Sequence, residues 1–193
     1  GKTAHAKIRK EFPEHKSVLI FKLEGAQDYI VHGFKCDNRI WFVDHEVIGY
    51  HNKMVICYAP DGSSFFCSFT EAWRKTHDLR EEVKNEEYGT VYSFKSPVEF
   101  NSVQNLSMVS KNNAELIQTT LIGWGELGFK SPWYTTAPMK MISGNLAYYL
   151  CDTAKGDCGC PVLKDGNTVM GMHVGAKGSK NVFVPLVRVP KNE

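Results

Sequence analysis

The chain has 193 residues, 42% of them hydrophobic and 23% charged, with a formal net charge of +2. That length holds one compact unit or two small, closely packed ones, and the composition is that of a folded globular chain. It excludes a membrane-spanning helix, because no apolar run approaches the roughly 20 residues one needs, and the near-neutral balance lacks the basic excess typical of nucleic-acid binders.

The N-terminal stretch carries Lys2, Lys7, Arg9 and Lys10 and reads as a short amphipathic helix over Thr3–Phe12, ended by Pro13. Gly1 to His5 offers no apolar signal core, so secretion is not expected. Short β-branched and aromatic runs follow at Ser17–Leu23, Asp28–Lys35, Arg39–Val43, Met54–Tyr58 and Ser64–Phe69, parted by turn residues such as Pro60-Asp61-Gly62-Ser63. Strands this short, joined this closely, predict an antiparallel barrel rather than βαβ units.

From Thr70 to Asn85 the rhythm breaks. Dense charge, the spacing of Ala72, Trp73, Leu79 and Val83, and the lack of Gly or Pro predict a helix capped by Thr70. Thr90–Phe94 then closes the first barrel, and Lys95–Asn105 is the linker. Strands are predicted at Leu106–Val109, Glu115–Trp124, Trp133–Ile142, Leu146–Cys151, Gly159–Leu163, Thr168–Val174 and Asn181–Leu186. Glu115–Trp124 and Trp133–Ile142 pair as a long hairpin tipped by Gly125-Glu126-Leu127-Gly128. The expected fold class is all-β: a double antiparallel barrel of about six strands per half (1–94 and 106–193), with an N-terminal helix and one helical insertion.

The chemistry points to Gly156-Asp157-Cys158-Gly159-Cys160-Pro161, a cysteine on a glycine-flanked turn ahead of the apolar pair Val162-Leu163. A nucleophilic thiol must project into a cleft, and backbone N–H groups must converge on the carbonyl it attacks; Gly156 and Gly159 permit such a turn. Further on, Gly171-Met172-His173-Val174-Gly175 sets a histidine in a β-like run. The alternative reading of Cys158 is a buried structural thiol. A cysteine nucleophile needs a base held by the scaffold. Of the seven histidines, His45 directly follows the apolar run Ile40-Trp41-Phe42-Val43, and His51 is the alternative. Six cysteines are too sparse for a disulfide scaffold, and a working thiol fits a reducing, cytosolic compartment.

From Thr153 to Val174 this pattern resembles the 3C and 3C-like cysteine proteases of positive-strand RNA viruses, in which G-x-C-G and G-x-H stand at this spacing. The resemblance implies a chymotrypsin-like double barrel with Cys158 as nucleophile and His45 as base. It implies an acid at Glu87, with Glu86 as the alternative, or else a Cys–His dyad. It also implies an oxyanion hole from the backbone N–H groups of Gly156 and Cys158. His173 and Thr153 would line the S1 pocket and select Gln, or Glu, at P1. The implied substrate is the viral polyprotein, with host proteins as further substrates, in the host-cell cytoplasm and with no cofactor, metal or membrane.

Two readings compete. Cys151, Cys158, Cys160 and His173 could hold zinc, but the usual C-x2-4-C spacing is missing. RNA binding is the other, since picornaviral 3C proteins carry a basic linker motif for it. The corresponding stretch here, Val98-Glu99-Phe100-Asn101-Ser102-Val103, has no basic residue, which leaves the N-terminal lysines and Arg9 as the phosphate contacts.

Overall fold

The computed structural model describes residues 16–23, 30–44, 55–100, 103–110, 118–125, 128–143, 146–149, 157–178 and 180–188. The predicted N-terminal helix lies outside them.

The first half forms a seven-stranded antiparallel sheet. Its strands are β1 (Val18–Leu23), β2 (Ile30–Cys36), β3 (Arg39–Val43), β4 (Val55–Tyr58), β5 (Ser64–Cys67), β6 (Arg80–Val83) and β7 (Val91–Phe94), in the order β5-β4-β1-β2-β3-β7-β6. The second half holds β8 (Ser107–Met108), β9 (Gln118–Gly125), β10 (Gly128–Ser143), β11 (Leu146–Tyr149), β12 (Pro161–Asp165), β13 (Thr168–Lys177) and β14 (Lys180–Pro185). Its order is β12-β9-β10-β11-β14-β13-β8, and a β12–β13 pairing closes the ring into a barrel. The hairpin tipped at Gly125–Gly128 forms as expected, with Tyr134 opposite Ile122 and Thr136 opposite Thr120.

Strand β1 shows how the two halves join. Val18, Leu19, Ile20 and Phe21 are all buried, so neither face of this stretch meets solvent. Period-2 alternation sends Leu19 and Phe21 into the first barrel with Phe42, Phe65 and Phe94. It sends Val18 and Ile20 into a cluster shared with Ile122, Trp124, Val174 and Val184 of the second half. A separate cluster around Trp133, Tyr149, Val162 and Phe183 fills the second barrel. Trp124 Nε1–H donates to the Val18 carbonyl across 2.9 Å, which pins the shared face by a hydrogen bond as well as by packing.

The helix predicted over Thr70–Asn85 is corrected. The helix α1 spans only Glu71–Thr76, capped by Thr70, whose side chain accepts from Trp73 N–H. Asp78 then takes the left-handed region at φ +50° and ends it. Residues Arg80–Val83 become strand β6 against β7. Arg39 explains why: its guanidinium donates to the Asp78 carboxylate and carbonyl and to the Ser93 carbonyl and hydroxyl, tying the turn to the sheet. A helix running on to Val83 would also leave the outer edge of β7 unpaired.

Smaller differences have local causes. The strand predicted over Ser64–Phe69 stops at Cys67, because Phe69 sits at φ +50° and turns its ring onto Phe42. Within Leu106–Val109, Ser107–Met108 pairs parallel to β13, and Leu106 makes only a single bridge, to Cys36. The linker packs back on the first barrel, with Phe100 against Phe65.

Candidate active site

Residues Asp157 to Cys160 form a tight turn closed by Cys160 N–H on the Asp157 carbonyl at 3.1 Å. Gly159 takes φ +92° in it. A Cβ there would lie 1.7 Å from the His32 carbonyl oxygen, so both the angle and the space demand glycine. The turn is held from two sides. His32 N–H of β2 donates to the Cys158 carbonyl at 2.9 Å, and Gly159 N–H donates to the His173 carbonyl of β13 at 2.8 Å. His173 N–H returns a bond to Cys160 O at 3.0 Å.

Cys158 stands at the crest of this turn, partly exposed, with its Sγ 3.4 Å from the Val174 carbonyl oxygen. Cys160, two residues on, is fully buried in the second-barrel cluster beside Trp133 and Gly123. Burial pushes its thiol well above the usual range, and the nearby Asp157 and Cys158 add to the effect. Burial raises the thiols of Cys36, Cys57 and Cys67 as well. Among the described cysteines, Cys158 is the one that is not buried.

His173 lies mid-strand in β13, buried, with the Tyr149 hydroxyl 2.5 Å from its Nδ1. Loss of solvation pushes its pKa down to about 3, and the neighbouring His32 adds to the shift. The ring is therefore neutral at physiological pH, one nitrogen a donor and the other an acceptor. The sequence reading missed Tyr149. Its partnership with His173 arises from the order β11-β14-β13, which no local motif encodes.

Glu86 and Glu87 are both exposed, on the turn between β6 and β7. Buried Asn85 organises that turn by accepting from the N–H groups of Glu87 and Tyr88. Glu87 Oε1 lies 3.8 Å from Lys177 Nζ at the end of β13, and Tyr88 packs on Gly175. The β6–β7 turn thus borders the strand that carries His173. The predicted base His45, its alternative His51, and the predicted Gly156 and Thr153 lie outside the described residues, as does Cys151. Asp44, adjacent to His45 in sequence, is fixed at the end of β3 by two bonds with Thr90: Asp44 N–H to Thr90 O at 3.0 Å, and Thr90 N–H to the Asp44 carboxylate at 2.9 Å.

No family model and no curated protein matches this sequence. Solved structures do. HL collagenase aligns with a TM-score of 0.68 at 17% identity, over 92% of both chains. A human pathogenic astrovirus serine protease aligns at 0.63 and 18% identity, over 95% of this chain and 96% of that one. The chain has the chymotrypsin-like protease fold. A catalytically active tobacco etch virus protease, solved with its product, matches all of this chain and 78% of its own at 0.62 and 16% identity. The two sheets are the two lobes of this chymotrypsin-like architecture, and the Cys158 turn sits where β2 of one meets β13 of the other.

The zinc set Cys151, Cys158, Cys160 and His173 gains no support from the described part. Cys160 packs into the second-barrel cluster and Cys158 against the shared one, so the two thiols face different surroundings. Among the described residues, the donor atoms that do converge within 4.8 Å of one another are those of His32, Asp157 and Cys160. In the described part, no helix is long and apolar enough to cross a membrane.

Proposed function

We propose that this protein is a 3C-like cysteine endopeptidase that processes a viral polyprotein in the host-cell cytoplasm. The observation that carries the reading is the placement of Cys158: a partly exposed thiol at the crest of a turn bonded to both lobes, beside the strand of a buried, neutral histidine. His45 takes the proton from Cys158 Sγ, and the thiolate attacks the scissile carbonyl. The oxyanion rests on the N–H groups of Gly156 and Cys158. His45 returns the proton to the leaving amine, and water then hydrolyses the thioester. Glu87 or Glu86 orients His45, or the pair works as a dyad, since a thiol needs less help than a hydroxyl.

In this reading His173 and Thr153 select the P1 side chain. If the Tyr149 hydroxyl donates to His173 Nδ1, the remaining proton sits on Nε2 and donates to the side-chain carbonyl of Gln or Glu. An apolar P1 leaves that buried donor unpaired, which is a strong basis for rejection. Host proteins bearing such a P1 are further substrates.

The test is mass-spectrometric cleavage of a peptide library varied at P1, with Cys158→Ala and His45→Ala in parallel. Cleavage after Gln or Glu by the unmodified protein alone is the expected result. Cleavage that persists in Cys158→Ala, or a protein inert on every peptide, would sink the reading.

A further inference from the structure

His32 is a buried histidine on β2, a strand of the first lobe, yet every residue of the nucleophile turn meets it. Its N–H donates to Cys158 O, and its carbonyl oxygen fills the space a side chain at Gly159 would need. A ring nitrogen, an Asp157 carboxylate oxygen and Cys160 Sγ lie within 4.8 Å of one another. His32 Nε2 sits 3.0 Å from Trp124 N and 3.1 Å from Trp124 O on β9.

We propose that His32 is the positioning residue of the nucleophile turn, its ring held between the Trp124 backbone and the Asp157 carboxylate so that Cys158 Sγ is fixed in the cleft between the lobes. The chemistry follows from what each group needs. Asp157 is only 4% exposed, and a carboxylate at such burial is costly without a donor or a counter-charge. A neutral imidazole whose Nε2 accepts Trp124 N–H carries its proton on Nδ1, and the carboxylate in that cluster is the acceptor that fits it. If the ring takes a second proton, Nε2–H has the Trp124 carbonyl to donate to, so the ring keeps a partner on Trp124 in either state.

The role of His32 in turnover rests on the protease reading; its hold on the turn does not. The test therefore pairs peptide cleavage with two measurements that need no substrate: the rate of iodoacetamide alkylation at Cys158, mapped by mass spectrometry, and amide exchange at 157–160. In His32→Phe, alkylation and kcat should fall together by roughly 100-fold, the scale of an ångström-level misplacement. KM should stay within about 3-fold. Exchange at Gly159 should quicken while β13 and β14 remain protected. His32→Gln, which can still bond to Trp124 and Asp157, should recover at least about 10-fold of the loss. Asp157→Asn should reproduce the defect, and combining it with His32→Phe should add little, because the two act as one unit. Should His32→Phe fail to fold, the same cycle is run with His32→Gln and Asp157→Asn. Unchanged alkylation and exchange in a folded variant, or losses that simply add, would overturn the proposal. If the unmodified protein cleaves nothing, the protease reading fails, while alkylation and exchange still decide the role of His32.

Discussion

Gly159 N–H donates to the carbonyl of His173 across 2.8 Å, so the turn bearing the candidate nucleophile and the strand bearing the candidate specificity histidine are bonded directly. A displacement of either backbone is felt by the other, and the consequences can be measured.

Gly159→Ala should be among the most damaging single substitutions in the chain. It forces a side chain to φ +92° and drives a methyl group into the His32 carbonyl oxygen. A cost of at least about 3 kcal/mol is expected from strain and overlap together. Thermal unfolding of the variant beside the parent protein checks it, and a loss below about 1 kcal/mol would contradict the turn geometry.

Thiol labelling should be selective. Iodoacetamide near neutral pH should modify Cys158 at least about 10-fold faster than Cys36, Cys57, Cys67 or Cys160, whose burial both hides the sulfur and disfavours the thiolate. Peptide mapping after timed quenching gives the individual rates.

Removing the hydroxyl that touches His173 should weaken P1 selection while leaving the nucleophile intact. Tyr149→Phe loses one hydrogen bond to Nδ1, worth roughly 3- to 10-fold in kcat/KM for a Gln substrate. His173→Ala should erode the preference for Gln over an apolar P1 of similar size by at least about 100-fold. Cys158 alkylation in Tyr149→Phe should stay near the parental rate.

Acid should destabilise the protein through His173. Its pKa in the fold is about 3, against 6.5 for the ordinary side chain, so below about 6.5 the unfolded chain binds a proton that the folded one does not. Stability from this group is therefore complete above about pH 6.5 and is lost as the pH falls toward 3. Denaturant midpoints measured from pH 7 to pH 4 should fall, and His173→Gln should flatten that part of the curve.

Much of the architecture was legible in the chain because strand patterning is local. Arg39–Val43 forms with its predicted bounds, and Thr168–Val174 lies wholly within β13. The β9–β10 hairpin announces itself through the glycines at its tip. Where local pattern and tertiary demand diverge, the tertiary structure prevails. Arg80–Val83 carries helical spacing and dense charge, yet it pairs with β7 because Asp78 turns the chain and Arg39 anchors the turn.

At the site the division is similar. The glycine-flanked cysteine and the histidine fifteen residues later are marks that the sequence carries by itself, since a tight turn and a strand each leave a local signature. The closeness of Cys158 to His32 and of His173 to Tyr149 is set only by the folded chain. His32 lies 126 positions before Cys158 and on the other lobe. Its place beneath the turn comes from the pairing order of two sheets and from a buried face that both share. Residue type and spacing therefore determined which side chains could do chemistry. The packing of one lobe on the other decided which of them meet, because burial and hydrogen bonding act between groups that only the completed fold makes neighbours.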